Sequence, residues 1–153
     1  MPLLGREKVE FELKEGIKTR MNSNLKGVYF SGLGNIIAGT PADKGLHRNS
    51  WFLSVGTASK ATTTDKSKAG ASSIVQVSKM PESVIGKKIY FTNNAPAITT
   101  LEYGGYPSPV AKGSYIKAKK KYEILSINGF SKQAPKGWVR STIIAMQNKL
   151  RSL

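Results

Sequence analysis

Cysteine is absent from the chain, so no disulfide framework and no thiolate metal site can form, and the redox compartment cannot be read from bonds that are impossible. Histidine is almost as scarce: His47 stands alone, and the nine carboxylates are not grouped at metal-ligand spacing. A grouping of Asp43, His47 and Ser50 is imaginable as a triad, but all three fall in one short turn and the start of the strand after it. The expectation is therefore a protein that is not an enzyme, with no catalytic residue, no cofactor and no metal. Gly32-Leu33-Gly34 and Gly104-Gly105 lack the strand-loop-helix setting and the lysine of a phosphate loop, so no nucleotide site is expected. Long apolar runs are missing too. Nothing approaches the ~18 residues of a membrane span, and MPLLGREK has no sustained apolar core, so neither a membrane span nor a signal peptide is expected.

What the chain has in quantity is positive charge: 24 lysines and arginines give it a net charge of +15. The charge is uneven, because Glu7, Glu10, Glu12 and Glu15 make the first fifteen residues mildly acidic while the rest is very basic. Such a charge attracts polyanions or an acidic protein face over long range, in a salt-screened way. It equally serves as a solvated, lysine-rich surface that keeps a protein in solution. The length, 153 residues, suits a single domain over 1–153 with an ordinary core.

The chain changes character at Thr40 to Trp51, TPADKGLHRNSW. Before it, Ile17, Met21, Leu25, Val28, Leu33 and Ile36 recur at three- and four-residue spacings and predict a long helix from about Glu15. Pro41 cannot continue the ladder, Asp43 can close a turn and Gly45 can take positive φ, so the helix should end near Gly39. After it, Trp51, Leu53 and Val55 alternate with Ser50, Phe52 and Ser54 and predict a strand with a buried face. Val9, Phe11 and Leu13 also alternate and suggest a short strand or extended arm at the start. Residues 57–73, almost free of large apolar side chains, read as a loop that is either a mobile hairpin tip or ordered against a partner, with Lys60, Lys66 and Lys68 as contacts.

Ile74, Val75 and Val77 predict a second strand and Lys88 to Thr92 a third, while Ala97 to Tyr103 predicts a short helix. A second loop, near 105–121, carries Lys112, Lys117, Lys119, Lys120 and Lys121 beside Tyr115 and Tyr122. Aromatics among lysines can stack on bases while the cations meet phosphates, and the same pattern fits a solvated loop or a lysine-protected edge. Tyr122, Ile124 and Ile127 predict a last strand. Val139, Ile143, Met146 and Leu150 predict a C-terminal helix, in which Trp138 either anchors packing or faces a neighbouring subunit. The fold class expected is α+β: a long N-terminal helix and a C-terminal helix packed on a small antiparallel sheet of about four strands.

Three segments, in order, resemble the tail-completion proteins of long-tailed phages, the Z-type minor tail proteins. They are Thr40-Pro41-Ala42-Asp43-Lys44-Gly45 with Arg48 and Trp51, then Leu101-Glu102-Tyr103-Gly104, then Ser131 to Arg140 with Ala134, Pro135, Gly137, Trp138 and Arg140. Lys44 stands where that family has a hydroxyl residue, and Leu46-His47 sets the apolar position one place early. The stretch between the second and third segments is longer than is usual there, so the lysine run reads as an insertion. The resemblance implies a structural virion protein that completes the tail and joins head to tail as a homo-oligomeric ring, by analogy a hexamer, assembled in the host cytoplasm. Its neighbours would be neck and tail proteins such as the tail terminator and head-connector components, with possible contact to passing viral DNA and none with a membrane. The resemblance also implies that Glu102 pairs with Arg48. The alternative that the composition supports is a basic DNA-binding protein contacting the phosphate backbone.

Overall fold

The computed structural model describes residues 2–134 and 136–153. One helix, α1, spans Pro2–Gly39. Pro41, two residues beyond it, stops propagation, and the hydroxyl of Thr40 folds back to donate to the Ile36 carbonyl at 2.7 Å. The expected strand at Val9 to Leu13 is instead part of this helix. A lone strand there would leave its backbone groups without partners, whereas a helix satisfies them internally. Pairs on its surface, Arg6 with Glu10 at 3.1 Å and Glu15 with Lys18 at 2.9 Å, add to its local stability.

A helical turn, α2 (Leu46–Asn49), leads into β1 (Trp51–Val55). The segment expected as a second strand is helix α3 (Ala71–Ser78). Its buried positions, Ser73 and Val77, lie four apart, and Ile74 and Val75 between them face outward, so the run has helical rather than alternating burial. The strand that pairs with β1 is β2 (Ile89–Asn93), antiparallel with Trp51 opposite Asn93 and Val55 opposite Ile89. Then come α4 (Ile98–Tyr103), as expected, and two further hairpins: β3 (Ser114–Ile116) with β4 (Lys121–Glu123), and β5 (Ser126–Ile127) with β6 (Phe130–Ser131). The expected single sheet of about four strands is thus three separate two-stranded antiparallel sheets.

The C-terminal helix α5 (Trp138–Arg151) packs along α1 rather than on a sheet. It is antiparallel to α1, with Trp138 against Gly39, Met146 against Gly32, and Leu150 beside Met21 and Leu25. The missing side chains at Gly32 and Gly39 are what allow this approach, since a Cβ at Gly39 would lie 2.7 Å from the Trp138 ring. The main core collects Leu33, Ile36 and Ile37 of α1, Trp51 and Leu53 of β1, Val77 of α3, and Met80 and Val84. A smaller one joins Leu101 of α4, Ala134 and Trp138.

Candidate assembly site

Of the three segments that carry the family resemblance, the first and third meet at the C-terminal end of α1, and the second meets the third at the start of α5. At the end of α1 the Ile36 carbonyl accepts the Thr40 hydroxyl and, at 3.1 Å, the indole N–H of Trp138, a residue 102 positions away. Thr40 in turn accepts the indole N–H of Trp51 at 2.9 Å, and Trp51 stacks on Phe91 with centroids 4.9 Å apart. Two tryptophans and one threonine thus tie the helix end to β1 and to α5. Trp138 is core, 4% exposed, which decides between the two roles open to it.

The last carbonyls of a helix have no partner within it, and Arg48 supplies one. Its guanidinium donates to the carbonyls of Ala38 at 3.0 Å, Thr40 at 2.9 Å and Lys68 at 2.8 Å. A cation beside the negative end of the helix dipole is favourable as well. Gly45, at φ 78°, opens α2 where a Cβ would collide with the Lys66 carbonyl, and its own carbonyl accepts from both the backbone and side chain of Asn49. Pro41 is buried and Asp43 exposed.

Glu102 does the complementary work at the other helix. Buried at 5% exposure in α4, it accepts the Val139 N–H at 3.1 Å and the Arg140 N–H at 3.0 Å, the unsatisfied donors at the start of α5. The Arg140 side chain also donates to it at 3.1 Å, then to the Glu102 carbonyl at 3.2 Å, and lies over the Tyr103 ring at 4.6 Å. The expected pairing of Glu102 with Arg48 is therefore corrected: each serves a different helix end, and the partner of Glu102 is Arg140. Gly104, at φ 81°, lets the backbone pass Phe130, and Gly137, at φ 60°, opens α5. Ala134 is buried beside them, and Pro135 lies outside the described residues.

Asp43, His47 and Ser50 are not arranged as a triad. The His47 Nε2 is 2.7 Å from the Pro96 carbonyl, and the Ser50 hydroxyl donates to the Leu46 carbonyl at 2.6 Å. Among the described residues no three of His, Asp and Glu gather as a metal site, and no helix is long and apolar enough to cross a membrane. A cleft of about 400 Å³ opens beside the junction, between Pro41, Asp43 and His47 on one wall and Lys112, Ser126 and Gln133 on the other.

The lysines fall into two places. Lys60, Lys66 and Lys68 are exposed on a loop held down by its backbone: Asn94 donates to the Ser59 and Ala61 carbonyls, Arg48 to that of Lys68. Asp65 organises the middle of the loop, accepting from the Ser72 hydroxyl and from the Ser67 N–H at 2.9 Å, and these bonds hold its carboxyl below the usual carboxylate range. Lys117, Lys119, Lys120 and Lys121 are on the β3–β4 hairpin and Lys112 precedes it. Tyr115 and Tyr122 pair across the strands at 5.2 Å, both exposed, with the Lys112 ammonium 5.4 Å from the Tyr122 ring. Lys119 and Lys121 both reach Glu123, at 3.0 and 3.2 Å, which lowers the pKa of Glu123.

Sequence reading missed Asn49 and Ser73, polar side chains buried to 1% and 0% exposure. The carbonyl oxygen of the Asn49 amide accepts the Ser72 N–H, and Ser73 accepts the Trp51 N–H at 3.0 Å. Asn49 stands on no apolar stripe, and Ser73, though four residues before Val77 on the buried face of α3, is not apolar, so hydrophobic periodicity gave no signal for either. Comparison with protein-family models, with curated proteins and with solved structures finds no match to this chain.

Proposed function

We propose that this chain is a structural, non-catalytic component of a phage neck, which completes the tail and joins it to a filled head as a ring of identical subunits. The observation that carries the reading is convergence: the second and third resembling segments bond to each other through Glu102 at the start of α5, and the third, through the Trp138 indole, bonds to the end of α1 that the first segment closes. Segments matched only by chance have no reason to share one hydrogen-bonded junction. What this junction provides is stiffness. Every donor and acceptor named there is paired within the chain, leaving a rigid frame whose outer surfaces meet neighbours by shape and charge.

The experiment is removal of the protein from the phage that encodes it. Filled heads and finished tails accumulating unjoined, with normal tail length, are the expected result, and imaging of the intact neck should show a ring of this fold. Infectious particles at normal yield without the chain would sink the reading.

A second reading, a basic protein on DNA, is favoured by one feature: two exposed tyrosines on the hairpin, flanked by lysines. Affinity for DNA that falls steeply with salt, with a slope reduced by about one for each phosphate-contacting lysine removed, would favour it. Lys117 and Lys120, exposed and not bound to Glu123, are the residues to reverse.

A further inference from the structure

We infer that the β3–β4 hairpin is a stacking platform for single-stranded nucleic acid, with Tyr115 and Tyr122 taking bases and Lys112, Lys117 and Lys120 taking phosphates. The two tyrosines are direct cross-strand partners and therefore share one face of the hairpin. They are 51% and 58% exposed and belong to neither core. Their rings meet at 59° with centroids 5.2 Å apart, so they do not cover each other as a parallel stack would. A cross-strand pair steadies so short a hairpin, and threonines can fill that part too. Threonines would offer no ring face to a base.

The lysines divide by partner. Lys119 and Lys121 both hold Glu123, whereas Lys112, Lys117 and Lys120 form no ion pair among the described residues. Glu123 is also the only side-chain carboxylate after Glu102: residues 103–153 set ten lysines and arginines against it, a net charge of +9. From outside this stretch, Asp43 lines the same cleft as Lys112, at the base of the hairpin and away from the turn that carries Lys117 and Lys120. Lys120 stands at φ 50°, where glycine or asparagine is the relaxed choice. A turn alone gives no reason for lysine there, and a phosphate contact gives one.

The rings select the form of the partner. In a duplex the base faces are stacked on one another and only phosphates remain for the lysines, whereas a single strand offers both. Stacking on tyrosine tolerates any base, because every base has a π face. The Lys112 ammonium, 5.4 Å from the Tyr122 centroid, shows that this ring takes a partner on its face, and an exposed lysine yields that place to a base. An acidic protein face would suit the lysines and not the rings, whose negative faces repel carboxylates. The inference deepens the second reading above, from DNA in general to an unpaired strand, and makes no use of the neck reading.

Fluorescence anisotropy of the whole chain with labelled oligothymidylate, and with a duplex of equal length, tests this at a salt concentration that suppresses attraction due to net charge alone. The single strand should bind more tightly than the duplex. Tyr115→Thr/Tyr122→Thr should weaken single-strand binding at least about fivefold and leave duplex binding unchanged, while Tyr115→Phe/Tyr122→Phe keeps both. Lys117→Gln/Lys120→Gln should reduce the salt slope for the single strand by about 1.4, the worth of two phosphate contacts. Because the threonines could disturb the hairpin, oligobromodeoxyuridylate is also photo-cross-linked to the unmodified chain, and the adducts should map to Tyr115 or Tyr122. Duplex bound as tightly as the single strand, unchanged affinity in the threonine variant, or adducts elsewhere would overturn the proposal. So would polyglutamate competing as well as the oligonucleotide, which would mark an acidic protein surface as the partner. Equal, steeply salt-dependent binding of both DNA forms removes the platform and leaves the second reading standing, and no binding of either form removes both.

Discussion

Thr40 shows how much a single hydroxyl can decide. It is fully buried, donates to the Ile36 carbonyl and accepts the Trp51 indole, so one side chain closes the helix and fixes the strand that follows. Thr40→Val keeps the shape and leaves the Trp51 N–H without its acceptor, and should cost about 1–3 kcal/mol by chemical denaturation. Asp65 acts on a smaller part of the molecule. Bonds from Ser72 and then Ser67 lower its folded pKa, so its contribution is fully present above the ordinary value of about 3.9 and is lost as pH falls through the lowered one. In a pH titration by NMR, the Ser67 amide should stay unchanged to below that value and then shift. A midpoint above it would show that the carboxyl is not held down, and Asp65→Asn should abolish the transition.

At the scale of elements, two charged residues finish two helices from outside: Arg48 at the C-terminus of α1 and Glu102 at the N-terminus of α5. A double-mutant cycle separates this arrangement from the pairing suggested by resemblance. Glu102→Ala should cost about 1–3 kcal/mol and couple to Arg140→Ala, while with Arg48→Ala it should be additive within about 0.5 kcal/mol. Half the Arg140 side chain is exposed, which keeps the coupling at the lower end of what a buried pair would give. Glycines in α1 separate in the same way. Gly39→Ala drives a methyl into the held indole of Trp138 and should destabilise by about 1–3 kcal/mol despite better helix propensity, whereas Gly34→Ala meets open space and should stabilise by up to ~1 kcal/mol. Thermal melts of the two variants moving in the same direction would contradict the packing of α5 on α1.

The whole molecule is strongly basic, and only its first fifteen residues, within α1, are slightly acidic. Its excess charge makes some DNA binding expected whatever its role, because long-range attraction needs no site. On the neck reading that binding should be indifferent to sequence and largely gone at high salt, and reversing Lys117 and Lys120 should leave head–tail joining intact in a phage complementation assay. A joining defect from that pair alone would move the hairpin from surface to function.

The long helix and its end at Gly39, the first strand, the short helix before Gly104 and the C-terminal helix were legible in order along the chain. Each is dictated locally, by apolar spacing, by Pro41 or by glycine at a turn. Alternation misled at Val9 to Leu13 and at Ile74 to Val77, because a two-residue period becomes a strand only where a neighbour offers its backbone, and none does there. Of the candidate site, most residues were named from the sequence, whereas Asn49, Ser73 and the partner of each charged group were not. That Glu102 meets Arg140, that Arg48 meets carbonyls, and that α5 lies on α1 depend on which helix ends come within about 3 Å of which side chains. Only the folded chain sets those distances, since unsatisfied donors and acceptors at helix ends take whatever charge the packing brings to them.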